Sequence, residues 1–303
     1  MKTIIQFTFL LLLFSCSSTN TSKIEETSKK AFLSNETIVY KETTSNHKLT
    51  SLDIYTVKES KALKPVVIWV HGGGWAIGDK FNGMQQKVPF FNNLGYVFVS
   101  INYRLSSLQR NKTNETRIQH PIHVNDATDA LYWIYKNIHK YGGDTSNIVL
   151  IGHSAGAHLV ALLGTNQKLL KERNIPIKKL KGIISLDTQA YNVPKAIQNL
   201  KGKRLYVNAF SNNVDSQIDA SPYFQLDNYK NTVSNWLFAS RGNSIRKEIL
   251  NDFVNKINTK NGKTEVVTMN SYSHRDVNLL ISDTSNTILS DKITQFLKSV
   301  FYK

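Results

Sequence analysis

The chain has 303 residues, of which 41% are hydrophobic, and its 38 lysines and arginines against 22 aspartates and glutamates give a formal net charge of +16. One cysteine excludes an intrachain disulfide framework, and the length after a leader suits one large α/β domain. The lysines are spread, with mild clusters at Lys178-Lys179-Lys181 and Lys201-Lys203-Arg204 and no arginine–aromatic interleaving, which argues against a nucleic-acid partner and for a basic, solvated surface.

Met1-Lys2 leads into an apolar run from Ile4 to Phe14 and then Ser15-Cys16-Ser17-Ser18. One lysine, a core too short to span a bilayer and small residues behind it predict a secretory signal over residues 1–16. Leu13-Phe14-Ser15-Cys16 resembles a bacterial lipobox. That resemblance implies that Cys16 is lipidated and becomes the mature first residue, so that the exported protein is held to the membrane by an N-terminal lipid anchor. Ser17 beside it suits an outer-membrane lipoprotein, facing the periplasm or the surface. Plain secretion, with cleavage near Ser15 to Ser18, is the alternative. Residues 17–34 are polar and predict a flexible tether, leaving 35–303 as the domain, without internal repeats.

The domain opens with two strand-like runs, Thr37–Tyr40 and Leu52–Val57, joined by polar residues as in a hairpin. Pro65–Val70 is a near-continuous apolar run, as in a parallel strand buried on both faces, and Tyr96–Ile101 is another. Ala127, Ala130, Leu131, Ile134 and Ile138 recur at helical spacing from Asp126 to Ile138. Asp126 and Asp129 read as cap and surface charges, and Gly142-Gly143-Asp144 as the stop. Residues 106–120 are polar and irregular and predict an exposed loop bordering a pocket. Further strands fall at Ile148–Ile151, Gly182–Asp187, Trp236–Ser240 and Thr264–Met269, with helices after Ser154, over Lys247–Ile257 and over Ile288–Phe301. This alternation predicts an α/β fold with a mostly parallel sheet and helices on both faces.

Two stretches carry chemistry. Gly152-His153-Ser154-Ala155-Gly156 lies between the run Ile148–Ile151 and an apolar helix, so Ser154 falls on a sharp strand-to-helix turn and reads as a nucleophile. His71-Gly72-Gly73-Gly74-Trp75 directly follows Pro65–Val70. Its glycines let the backbone turn N–H groups of Gly73 and Gly74 towards one point, where they and the N–H of Ala155 could hold an oxyanion. A phosphate cradle would need a Gly-Lys-Ser/Thr directly after the glycines, and here Gly72-Gly73-Gly74 runs instead into Trp75-Ala76-Ile77. His71 reads as packing for the loop.

Together these two motifs resemble the α/β-hydrolase superfamily, in its carboxylesterase branch related to hormone-sensitive lipase and the bacterial feruloyl and acetyl esterases. Asn102-Tyr103-Arg104-Leu105 resembles a step of the same branch, as do the helix from Asp126 and the lead-in Tyr141-Gly142-Gly143-Asp144. The likeness covers about residues 35–300 and implies the α/β-hydrolase fold and ester hydrolysis without a cofactor.

The fold implied by this resemblance puts its general base in the loop after the last strand, where His274 stands. A serine hydroxyl is a poor nucleophile until an imidazole takes its proton. His153 and His158 are too close to Ser154 in sequence to turn back on it, and His120 and His123 precede it. No histidine pair shows metal-ligand spacing with a third ligand nearby, so no metal is expected. The family places its acid after the seventh strand, where this chain reads Ser240-Arg241-Gly242-Asn243. Asparagine cannot offset an imidazolium, so Asp187, at the end of the sixth strand, is the expected acid. Asp215 is a weaker candidate, and Asp276 reads as a loop charge.

The expected function is a serine carboxylesterase acting through an acyl-enzyme on small-molecule or glycan esters. An arylformamidase-like amide hydrolase would satisfy the same His71–Trp75 loop, and a non-catalytic binding protein on a hydrolase scaffold is suggested by Asn243.

Overall fold

The computed structural model describes residues 34–43, 46–56, 62–106, 117–199 and 203–302. The signal at 1–16 with Cys16 lies outside them, as do the tether except Ser34, which begins the first strand, and positions 107–116 of the pocket-bordering loop.

Eight strands form one sheet: β1 (Ser34–Val39), β2 (Ser51–Thr56), β3 (Lys64–Val70), β4 (Val97–Ile101), β5 (Gly143–His153), β6 (Leu180–Leu186), β7 (Asn235–Ser240) and β8 (Lys263–Thr268). Their order is β1-β2-β4-β3-β5-β6-β7-β8. β1 pairs antiparallel with β2, and β2 with β4; every other pairing is parallel. The central strands carry near-continuous apolar runs, at 66–70 in β3 and 148–151 in β5, because both faces are covered there. Val66, Ile68 and Val70 of β3 join one core cluster, while Val67 and Trp69 join the other, as the two-residue period of a strand requires.

The larger cluster is capped by α2 (Ile122–Asn137), α3 (Ala155–Thr165), α4 (Lys203–Phe210) and α5 (Ser244–Thr259). The opposite face carries α1 (Met84–Asn93), α6 (His274–Leu279) and α7 (Thr287–Phe301), which buries Ile293, Phe296, Leu297 and Val300. This is the α/β-hydrolase arrangement the sequence predicts. Among the described residues no helix is long and apolar enough to cross a membrane.

Two local expectations need correction. α2 starts at Ile122, so Asp126 sits one turn inside it, fully buried, and is neither cap nor surface charge. Its carboxylate accepts from Arg104 Nε and a terminal guanidinium nitrogen at 2.7 Å each and from the Arg104 backbone N–H at 3.1 Å. Asp129 does face outward, pairing with Lys41 and Arg173. The stop also differs: α2 passes into a short 3-10 turn, Gly142 closes that turn at φ 77°, and Gly143 and Asp144 already belong to β5. Periodicity could not locate Asp126, because its burial depends on an arginine from a distant strand end.

Arg104→Ala strands the buried Asp126 carboxylate, leaving Lys41 at 3.4 Å as its remaining ion pair among the described residues. We expect a loss of about 3 kcal/mol in urea unfolding. A loss below about 1 kcal/mol would place the pair with ordinary surface bridges.

Candidate active site

The sheet register brings the chemistry to one edge. His153 pairs with Leu186, and Leu186 with Ala239, so the residues just beyond β5, β6 and β7 leave the sheet side by side. In a parallel sheet this carboxyl edge is where ligands bind. Ser154 follows His153 at φ 57° and ψ −116°, and its N–H donates to Leu186 O at 2.9 Å. That left-handed backbone is costly for a residue with a Cβ, and it lifts the serine out of the line of both strand and helix. The turn is possible because α3 lies against β3: a Cβ on Gly156 would fall 2.0 Å from Val70 O. Ser154 is half-buried.

The glycine loop lies against this turn. A Cβ on Gly72 would come 3.1 Å from Ser154 Cβ and 2.9 Å from His153 O. Gly73, at φ 118°, turns the chain so tightly that Ala76 and Ile77 both donate to its carbonyl at 3.1 Å. Ala155 is the first residue of α3, and first-turn N–H groups have no intrahelical acceptor. Trp75 anchors the loop from below, buried among the rings of His158, Tyr206 and Phe210. Its indole N–H donates to His158 Nδ1 at 3.3 Å, and His158 Nε2–H donates to Ala220 O at 2.7 Å. Tyr103 OH donates to His71 O at 3.0 Å, and the two rings stack at 4.5 Å, consistent with a packing role for His71. From the other side, α4 brings Leu205 to the loop, where its Cδ1 would lie 3.2 Å from a Cβ on Gly74.

His274 is the first residue of α6, after β8, and its side chain is 43% exposed. Its Nδ1 lies 2.5 Å from Asp187 Oδ2. A carboxylate oxygen can only accept, so Nδ1 carries a proton, and in the neutral ring Nε2 keeps the lone pair. Asp187 follows β6 at φ 52°, fully buried at its side chain, with its N–H on Ala239 O at 2.7 Å. Burial pushes its carboxyl up. The His274 hydrogen bond and the charges of Arg246 and Arg241 outweigh burial and hold it below the ordinary carboxylate range.

The other acid candidates are engaged elsewhere. Asn243 is exposed and caps α5, accepting from Arg246 N–H at 3.3 Å. Asp215 is exposed in the first turn of the short helix Val214–Asp219. Asp276 forms a capping box with Ser273.

One grouping was invisible in the spacing. His153 Nε2–H donates to His274 O at 2.9 Å, and ligand atoms of His153, Asp187 and His274 lie within 4.8 Å of one another. The histidine spacing therefore missed a convergence of two histidines and a carboxylate. Two guanidiniums already occupy that carboxylate, which opposes a cation there. Burial and the charge of His274 push His153 down to about 3, so it stays neutral. Burial likewise pushes His123 and His158 down to about 3. Nothing in the sequence pattern signals Arg241 and Arg246 as members of this site.

The BD-FAE family model matches residues 52–236. Esterase LipQ of Mycobacterium tuberculosis is 40% identical over 98 residues, 32% of this chain and 21% of that protein. The isoprenylcysteine alpha-carbonyl methylesterase ICME of Arabidopsis thaliana is 30% identical over 163 residues, 52% of this chain and 36% of that protein. The chain thus spans well under half the length of both relatives. Among solved structures, a truncated carbohydrate esterase from gut microbiota superposes with a TM-score of 0.69 at 18% identity, covering 90% of this chain and 98% of that one. A hyperthermophilic esterase from the archaeon Pyrobaculum calidifontis gives 0.65 at 22% identity, covering 82% and 81%. At these identities the structural likeness establishes the fold.

Proposed function

This chain belongs to the BD-FAE family, on the α/β-hydrolase fold, and from that premise we propose that it is a serine carboxylesterase in which Ser154, His274 and Asp187 form the catalytic triad. The observation that carries the proposal is the His274–Asp187 hydrogen bond at the sheet edge where Ser154 stands on its strained turn. His274 Nε2 takes the Ser154 proton, and the oxygen attacks the ester carbonyl. The N–H groups of Gly73, Gly74 and Ala155 receive the oxyanion. The protonated ring then gives its proton to the leaving alcohol, and a water activated by the same nitrogen releases the acid. No cofactor enters these steps.

The substrates are small or carbohydrate-borne carboxylic esters, a class supported by the resemblance to feruloyl and acetyl esterases. The protein is exported and tethered to a bacterial outer membrane through lipidated Cys16, a reading supported by the Leu13–Cys16 stretch and the polar residues after it. Asn243, the reason for considering a non-catalytic scaffold, caps a helix here while Asp187 occupies the imidazole.

The wild-type chain should hydrolyse p-nitrophenyl esters in a series from acetate to octanoate, and a fluorophosphonate probe should label Ser154. A folded protein that shows neither turnover nor labelling overturns the proposal.

A further inference from the structure

Asp187 holds more positive charge than orienting a histidine requires. Arg241 Nε–H donates to Oδ2 at 2.6 Å, the oxygen that also accepts from His274. On the other side Arg246 gives one terminal nitrogen to Oδ1 and the other to Gln189 Oε1, while its Nε–H returns to Arg241 O at 2.8 Å. Two guanidiniums and one imidazole therefore surround a single carboxylate whose side chain has no exposed area. The backbone is shaped for this clasp: Gly242 turns at φ 108°, and a Cβ there would fall 2.6 Å from Arg246 Cδ.

We propose that Arg241 and Arg246 are positioning residues of the active site, fixing both oxygens of Asp187 against His274 and offsetting its negative charge, so that its hold on the imidazolium form is weakened. The proposal deepens the serine-hydrolase reading and rests on it. Ser240 to Arg246, where the resemblance implies an acid, supplies the partners of a carboxylate borrowed from the neighbouring strand. Neutral hydrogen-bond donors would orient Asp187 equally well; paired guanidiniums also change the charge that the ring feels.

The charged and titratable groups around His274 come from each neighbouring element. They are Asp187 after β6, Arg241 after β7, Arg246 on α5, His153 at the end of β5 with its ring 4.4 Å away, Arg275 and Asp276 on α6, and Lys87 on α1, whose charge acts on His153. His153 is neutral, and Asp276 is held in its capping box. Among the described residues, Arg241 and Arg246 are the cations paired with the carboxylate.

The test is an NMR titration of the His274 ring in the full chain, in wild type and in Arg241→Gln, Arg246→Gln and Arg246→Lys. Removing a guanidinium leaves Asp187 less compensated, which stabilises the protonated ring, so the midpoint should rise by about one pH unit in either glutamine variant. Arg246→Lys keeps the charge and should leave the midpoint in place while lowering kcat. The acidic limb of kcat/KM should move with the titration. An unmoved midpoint in both glutamine variants overturns the proposal, even if the rate falls, because loss of shape alone lowers the plateau without moving the limb. Should Arg246→Gln not fold, Arg241→Gln decides alone, since its side chain is the more exposed of the two. The titration needs no turnover. Absence of ester hydrolysis in wild type therefore counts against the serine-hydrolase reading, while the midpoint still judges the clasp.

Discussion

Ser154→Ala should lower kcat on p-nitrophenyl acetate by about 10⁶-fold, to the residual level that oxyanion donors and binding alone can sustain. The fold should be unaffected. The turn is held by the Ser154 N–H on Leu186 O and by the close approach of Gly156 to Val70, neither of which involves the hydroxyl. Alanine meets the same backbone cost at φ 57° as serine, so the unfolding midpoint should stay within the range of a neutral surface change. Turnover within tenfold of wild type, from protein free of contaminating esterase, would mean that another group attacks the ester. No candidate nucleophile shares the place of Ser154 on the strand-to-helix turn.

Asp187→Asn should lower kcat by about 10⁴-fold. An asparagine can turn its amide NH₂ towards His274 Nδ1, which makes Nδ1 the acceptor and moves the ring proton to Nε2, the nitrogen needed as base. The two arginines would favour that outcome, since they compete for the one remaining carbonyl oxygen. Asn243→Ala is the matched control. It removes the cap of α5 and should cost about 1 kcal/mol of stability with turnover within a few-fold of wild type. The reverse pattern, an inert Asp187→Asn and a dead Asn243→Ala, would return the acid to the position after β7.

The local motifs were legible because each is a backbone requirement written in consecutive residues. Gly152 to Gly156 must pass between two strands and a helix, and the loop from His71 must press its glycines against Ser154, so both announce themselves by composition. Helix and strand faces were legible from periodicity, as Val66 to Val70 shows by splitting between two cores. Asp126 reads from the sequence as a cap or surface charge, and its burial follows from Arg104, which arrives from beyond the end of β4. The pairing of Asp187 with His274 is expected from the sequence, whereas the place of His153 beside them is not, since β5, β6 and the start of α6 meet only once the sheet is assembled.

The sequence by itself determined the layered architecture, the serine turn with its glycine loop and the candidate role of Ser154, all of which depend on short-range geometry and alternation, and its resemblance to a known family supplied the candidate role of His274. Only the tertiary structure decided which carboxylate meets the imidazole. Parallel register sets Leu186 beside both His153 and Ala239, and so delivers Asp187, Ser154 and Arg241 to one edge from three separate strands. It likewise brings Arg241 and Arg246, from a stretch that carries Asn243 in place of an acid, onto that carboxylate. Charge pairing depends on distance in space, which a parallel sheet assigns between residues that the chain keeps far apart.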